Sequence, residues 1–491
     1  GVLLLAAILR REGVKVHEIY FRDWVNNRIE PPSAEEVDRL LAELMEIKPD
    51  LVGLSVRASA FHRIATHITE RIRRRLAVPV LWGGFHTTSC TEDAAKVADM
   101  VCVGEAETTI PALLARLRAG EDPCDLPGLW INTGTGIKRN ETAPLLQDLD
   151  SLPFADFHSP EKVLIDRRLF KRGDPYAKEP IYLVMTSRGC PFPSCTFCSN
   201  SVIDELYPDQ QNFRLRSVGH VLAELQYARE TFVNLRRIRF DDEEFPINRS
   251  WFDAFCRRYP GEVGLPFEVH MDPRVVTAER VDRLMAVGMD TVFMGIQNTA
   301  KVNREFYCRD VSDEQVLKAA DILNRSGVHV GYQVILDDPV STSEDKRQLL
   351  DLLLELPRPY ELVLFSLAIY PGSAIARRLL EDGVIQPEDV EGRATKVFRQ
   401  FRVDLLYDRP SEDRFWAALA VLVSKDFVPK DVIRQMAGSA YLRKHPDPLV
   451  HLAFGANVVK LGLMGIDLLK RRELTWSVIR RWLSLKALVT Y

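Results

Sequence analysis

The chain has 491 residues, 46% hydrophobic and 27% charged, with a net charge of −4, an ordinary globular composition long enough for about three domains. The acidic balance argues against a general nucleic-acid binder, and eight cysteines are too sparse for a disulfide framework. No run of about 18 uncharged apolar residues occurs, so no transmembrane span is expected.

Gly1 opens directly into VLLLAAILRREG, a helical pattern without the basic n-region and small-residue cleavage site of a secretory signal. It reads as a fragment whose first strand is missing. VKVHEIYF (14–21) is strand-like, and SAEEVDRLLAELMEI (33–47) is helical behind an N-cap serine. DLVGLSV (50–56) is a buried strand, followed by a helix over 61–76 and the strand VPVLWGG (78–84). A helix near 91–97, the strand DMVCVGE (99–105) and the helix TTIPALLARLRAG (108–120) complete the series. This alternation predicts an α/β doubly wound parallel sheet binding its ligand beyond the carboxyl ends of the strands. LWINTGTGIKRN (129–140) reads as a hairpin and LDSLPFADFHSP (149–160) as a linker.

From residue 181 the rhythm restarts. IYLVMTS (181–187) is followed by strand candidates RRIRFDD (236–242), PFEVHM (266–271), TVFMGIQ (291–297), VHVGYQVIL (328–336) and ELVLFSLAIY (361–370). Helical patterns separate them at 218–230, 277–288, 313–327 and 343–356. Six β/α units predict a partial barrel with its active site at the carboxyl ends of the strands. Beyond about residue 390 the pattern is helical and ends in ELTWSVIRRWLSLKALVTY (473–491). A basic amphipathic tail can mean membrane-surface contact, but a packed helix with a solvated basic face is the preferred reading.

The first barrel strand runs straight into SRGCPFPSCTFC (187–198). Cys190, Cys195 and Cys198 form C-x4-C-x2-C, three thiolates in one loop, which suits a [4Fe–4S] cluster with one iron left open. Structural zinc wants four ligands, and no fourth Cys or His lies close by in sequence. Zinc and a metal-free loop stay as alternatives, while Cys256 and Cys308 read as structural thiols. Clustered cysteines in a chain without a disulfide framework point to a reducing, cytoplasmic compartment.

The ordered set GGFHTT, DMVCVGEAETTIPALL, LDSLPFADF, SRGCPFPSCTFC, IRFDDEEF, GIQN and YPGS, spread over about residues 1–380, resembles the cobalamin-binding-domain radical S-adenosylmethionine (SAM) enzymes. The resemblance implies a Rossmann-like cobalamin domain over 1–140, a linker over 141–180, and a radical SAM partial (β/α)6 TIM-like barrel over 181–385. A helical C-terminal domain would occupy 386–491. It further implies that Cys190, Cys195 and Cys198 hold the cluster, that the amino and carboxylate groups of SAM chelate its open iron, and that reductive cleavage yields methionine and a 5′-deoxyadenosyl radical. Phe197 matches the aromatic residue near the adenine. Asp242, Glu243 and Glu244 match the region contacting the SAM amino group, and Gln297 matches a polar position toward SAM. A solvated strand end and an ordinary polar residue are the bland readings of these two segments.

For cobalamin, the implied contacts are Ser55, Gly83, Gly84, His86, Thr87, Gly104 and Glu105, small or backbone groups at strand ends that let a planar macrocycle approach. His86 reads equally as a locally bonded loop histidine. Asp156 and His158, the only D-x-H, receive no cobalt-ligating role. No residue is assigned to catalysis itself. Two departures stand out: the extra residue within Pro191–Ser194, which must bulge rigidly, and Asp337, where related sequences commonly carry glycine.

The activity implied is a cobalamin-dependent radical SAM methyltransferase acting on an unactivated carbon (or phosphorus) centre. A non-methylating radical SAM cyclase or rearrangement enzyme is one alternative; a cluster-bearing accessory protein that no longer cleaves SAM is the other. Implied partners are a small-molecule or peptide substrate and an electron donor such as flavodoxin or ferredoxin, with no nucleic acid.

Overall fold

The structure, a computed structural model, describes residues 1–22, 30–157, 159–177, 179–394 and 410–470; His158 and the tail 473–491 lie outside these. The chain forms two compact units, residues 1–242, 246–265 and 369–397 in one and residues 243–245, 266–368 and 398–491 in the other.

The first unit opens with helix Val2–Arg11 and strand β1 (Glu18–Phe21). Helix Ala34–Ile47 follows, closed at its start by a capping box. The Ser33 hydroxyl accepts from the Glu36 N–H, and the Glu36 carboxylate accepts from the Ser33 N–H. Strands β2 (Val52–Ser55), β3 (Val80–Gly83) and β4 (Met100–Cys102) pair in parallel. The hairpin β5 (Leu129–Asn132) and β6 (Ile137–Lys138) extends that sheet antiparallel, giving the order β2-β3-β4-β5-β6. The pleat sends Val80 and Trp82 into one apolar cluster with Leu40, Ile64 and Ile68. Leu81 points the other way, to Ile110, Leu113 and Leu129. Both faces of the sheet are therefore covered, as the doubly wound reading requires.

Strand β1 takes a different partner from the one its position in the series suggests. It pairs in parallel with β7 (Lys162–Asp166), and β8 (Leu169–Arg172) completes a separate sheet of order β1-β7-β8. Part of the expected linker is thus strand. The Lys162 side chain, fully buried, lies 2.7 Å from Asp174 and 3.9 Å from Glu18. Period-two patterning shows that residues are extended, but it does not name the neighbour.

Within the same unit, β9 (Ile181–Val184) leads into β10 (Ser187–Arg188), which pairs antiparallel with β11 (Arg214–Leu215). Strand β12 (Arg237–Phe240) lies parallel to β9. The second unit contributes β13 (Phe267–Met271), β14 (Met289–Gln297), β15 (His329–Asp337) and β16 (Glu361–Ser366), paired in parallel in chain order. In the first unit β9 pairs with β12, in the second the strand order is β16-β15-β14-β13, and all six expected strands form. Helices Ser411–Val423, Lys430–Ala437, Ala440–Lys444 and Asp447–Lys470 make up the helical C-terminal region. No described helix is long and apolar enough to cross a membrane.

Candidate functional site

Backbone geometry delivers the chain from β10 into the cysteine loop. Gly189 has φ +77°, and a Cβ there would lie 2.7 Å from the Asn212 carbonyl oxygen, so only glycine fits this close approach. Cys190, Cys195 and Cys198 are all partly buried. The Cys198 N–H donates to the Cys195 carbonyl at 2.9 Å. Cys198 is also the N-cap of helix Ser199–Leu206, whose N-terminal dipole favours a thiolate. Phe197, between these two cysteines, is half-buried.

A buried carboxylate ties down the start of the loop. Asp242 Oδ1 accepts from the Thr186 N–H at 2.8 Å, the Ser187 N–H at 2.7 Å and the Ser187 hydroxyl at 2.8 Å. Its Oδ2 is buried and has no hydrogen-bond partner among the described residues. Burial pushes the Asp242 pKa up to about 6, although the Ser187 and Thr186 donors pull it down.

Ion pairs join the same region to the loop after β4. Arg188 lies 2.9 Å from Glu105 and 2.6 Å from Glu107. Arg214, on the paired strand β11, holds both oxygens of Glu105 at 2.7 and 2.8 Å. Burial works to raise the Glu105 pKa, but the two guanidinium groups outweigh it and hold the carboxyl below its ordinary range. Gly104, with φ +79°, leaves room for a phenol: a Cβ there would fall 1.9 Å from the Tyr207 hydroxyl oxygen. Glu105 and Gly104 therefore pack against the cysteine-bearing segment.

The remaining strand-end residues differ in accessibility. Ser55 is exposed, and a Cβ on Gly83 would meet only the Cys102 Cβ, at 3.9 Å. Gly84 has φ +107°, and a Cβ there would strike the Val56 carbonyl at 2.9 Å. Thr87 is fully buried and donates to the Gly84 carbonyl at 2.6 Å. His86 is buried too, with Nδ1 2.9 Å from the Ser59 hydroxyl and its ring stacked on His62 at 5.4 Å. The YPGS turn adds a bridge that sequence reasoning did not supply. Tyr370 meets Phe85 edge-on at 5.4 Å, and the Ile375 N–H donates to the Thr196 carbonyl at 3.1 Å. Burial, and then the nearby Cys198, raise the Tyr370 pKa above its ordinary value.

Glu243, Glu244 and Gln297 belong to the second unit. Glu243 is exposed, whereas Glu244 is buried, accepts from the Asp272 N–H at 2.5 Å and lies 3.7 Å from Arg280. Burial raises the Glu244 pKa well above the carboxylate range, with Arg280 opposing. Gln297 has φ +66°, an uncommon conformation for a non-glycine residue, at an irregularity in the β14–β15 register. Arg309, almost fully buried, binds Asp272 at 2.6 Å and the Gly295 and Ile296 carbonyls at 2.8 and 3.1 Å. Asp272 and Arg309 organise these strand ends, yet no motif marks them in the sequence. Asp337 accepts from the Ser366 hydroxyl and links the ends of β15 and β16.

The B12 binding domain model matches residues 1–114, and the Radical SAM superfamily model matches residues 184–353. The chain is a B12-binding member of the radical SAM superfamily. It is 27% identical over 398 residues to an uncharacterized methyltransferase of Pyrococcus horikoshii, covering 77% of this chain and 79% of that protein. Its fold is similar to that of the radical SAM methyltransferase TsrM of Kitasatospora setae, solved with cobalamin and a [4Fe–4S] cluster. That match has a TM-score of 0.60 at 18% identity, covering 93% and 96% of the two chains. It is also similar to the cobalamin-dependent radical SAM enzyme OxsB, solved with aqua-cobalamin and SAM, with a TM-score of 0.63 at 16% identity over 99% and 81%.

The residues of this radical SAM protein fit such groups. None of the eight cysteines is in a disulfide. Among the described residues no three His, Cys, Asp or Glu gather closely enough for a single metal ion. A cubane draws each thiolate to a different iron, so its ligands stand further apart than those of one ion. Ser55 is exposed at the end of β2, and Gly83 is partly buried at the end of β3.

His86 gives the radical SAM protein a measurable acid response. Burial, and then His62, push its pKa down to about 4 from 6.5. The unfolded chain therefore takes up this proton first. The contribution to stability is complete above pH 6.5 and is lost as pH falls from there toward 4. Asp242 runs the other way: its folded pKa of about 6, against 3.8, makes its burial less costly as pH falls. A His86→Gln protein is expected to lose only the first response. Its unfolding free energy relative to the parent should improve by about 1 kcal/mol for each pH unit between pH 6 and 5. Urea unfolding at the two pH values measures this, and parallel pH profiles for the two proteins would refute it.

Proposed function

We propose that this chain is a cobalamin-dependent radical SAM methyltransferase acting on an unactivated carbon (or phosphorus) centre of a small-molecule or peptide substrate. The reading is carried by the ion-paired joint of Glu105 and Glu107, within the B12-binding match, with Arg188 and Arg214, within the radical SAM match. When bound, the cluster, SAM and cobalamin supply the electron, the radical and the route for the methyl group.

The chain's own residues hold and orient these groups. Cys190, Cys195 and Cys198 are the cluster ligands. Asp242 fixes the entry to their loop through Oδ1, and its buried Oδ2 is an acceptor for a cationic amino group such as that of SAM. Ser55 and Gly83 admit the corrin edge, while Phe85 and Tyr370 pack together beside the loop and exclude water. A cytoplasmic compartment with a flavodoxin or ferredoxin as electron donor suits thiols that must stay reduced.

The test is anaerobic reconstitution with iron, sulfide and cobalamin, followed by SAM and a reductant. Formation of both 5′-deoxyadenosine and S-adenosylhomocysteine is expected, the second being what SAM leaves once its methyl has gone. 5′-Deoxyadenosine without S-adenosylhomocysteine would replace the methyltransferase reading with the non-methylating one. Neither product from a fully loaded cluster would leave the accessory role.

A further inference from the structure

Helix Asp447–Lys470 packs along helix Ser411–Val423. An ion pair of 2.5 Å joins Arg414 to Asp447 near their starts, and Lys425, just past the end of the first helix, feels the charge of Lys460 on the second. The two helices therefore run in the same direction, with Lys425 and Lys460 at a common level. Lys460 stands 3.9 Å from the carboxylate of Glu361, the first residue of β16. His329, the first residue of β15, stands 3.6 Å from the same carboxylate. All of these residues belong to the second unit.

Two polar side chains in this corner lack a partner. Lys425 is 1% exposed, and its ammonium group makes no hydrogen bond or ion pair among the described residues. The carboxylates of Glu361 and exposed Asp426 act on it only from beyond ion-pairing distance. Burial, and then Lys460, push its pKa down to about 7. Asn457 is also 1% exposed, and neither its Oδ1 nor its Nδ2 has a hydrogen-bond partner among the described residues. It precedes Lys460 by one helical turn and shares its side of the helix. Buried polar groups are as a rule paired, so each of these calls for a physical reason. Glu361 is engaged by Lys460 and His329, which leaves Lys425 as an uncompensated buried cation. Water satisfies an amide but not a charge. A group that completes this corner is anionic, accepts from Lys425 and the Asn457 Nδ2, and donates to the Asn457 Oδ1. A hydrogen-bearing oxyanion such as phosphate has all three properties, whereas chloride and an ionised carboxylate have no donor.

We propose that Lys425, Asn457 and Lys460 form a binding site for a phosphate-like oxyanion, free or as the phosphoryl group of a small metabolite, where the C-terminal helices meet the amino ends of β15 and β16. The proposal does not rest on the methyltransferase reading. It is tested on the full chain at pH 7 by calorimetric titration and thermal unfolding with inorganic phosphate, glycerol phosphate, acetate and chloride at matched ionic strength. Phosphate binds saturably and raises the unfolding temperature of the parent, and acetate and chloride do not. Binding of phosphate alone assigns the free oxyanion; binding of glycerol phosphate as well assigns the phosphoryl group of a larger ligand. Lys425→Met and Asn457→Leu each lower phosphate affinity at least about tenfold. Both fold, because each exchanges an unpartnered buried polar group for an apolar one. Lys444→Ala, at an exposed lysine in the same helical region, keeps the parent's affinity. A parent protein without a phosphate response overturns the proposal, as does one that answers acetate or chloride equally. Either buried-site variant binding phosphate like the parent, or Lys444→Ala losing it, overturns it too.

Discussion

A Cys195→Ala protein, reconstituted anaerobically with iron and sulfide, is expected to lose cluster absorbance and to form no 5′-deoxyadenosine above background. The fall in rate should be about 10^6-fold or more, because without the cluster the reaction reverts toward its uncatalysed rate. The reason lies in the loop. Cys195 accepts the Cys198 N–H through its carbonyl, so these two thiols share one turn, and Gly189 and Asp242 anchor the approach to Cys190. Alanine preserves that backbone and removes only the sulfur. Cys256→Ala, in helix Arg249–Glu262, is expected to keep both iron and activity. A Cys195→Ala protein with full absorbance and SAM cleavage would refute the ligand assignment. The four residues between Cys190 and Cys195 would then belong to a loop that holds its metal in another way.

Glu105→Gln is expected to destabilise the chain strongly. The substitution keeps the shape of the side chain but leaves the Arg214 guanidinium, whose side chain is only 4% exposed, beside a neutral amide. Stranding a buried charge costs about 3 kcal/mol, the low end of the usual range because Glu105 is itself 22% exposed. Arg188 keeps Glu107 and should suffer less. Thermal unfolding of Glu105→Gln should fall by several degrees, and Glu105→Gln with Arg214→Gln should cost less than the two single changes added together. Additive losses would mean that the pair is not energetically coupled.

The pairing of Glu105 also shows where sequence reasoning reached its limit. Glu105 stands at the end of a strand, beside Gly104, and chemistry alone makes it a reasonable corrin neighbour. Nothing in GEAETT indicates that two arginines about a hundred positions away will take its carboxylate, or that Tyr207 will fill the space beside Gly104. The FDDEEF run posed the same problem. Its three candidate acids are equivalent in sequence, yet Asp242 faces the cysteine loop, Glu243 is exposed and Glu244 is turned to Arg280. Alternation along a strand end explains the pattern afterward, but the phase depends on which face the sheet buries.

Local information was enough for the elements and for the chemistry of the cysteine loop. Apolar periodicity is written within each segment, so the strands at 52–55, 80–83, 267–271 and 361–366 formed where it placed them. Three thiols within nine residues likewise need no distant partner to suggest a cluster. What folding decided were the relations between distant segments: β1 beside β7 through buried Lys162, Glu105 beside Arg188 and Arg214, Tyr370 beside Phe85, and the left-handed turn at Gln297. Each depends on charges and surfaces that meet only when the chain packs, and residue order carries no direct record of that meeting.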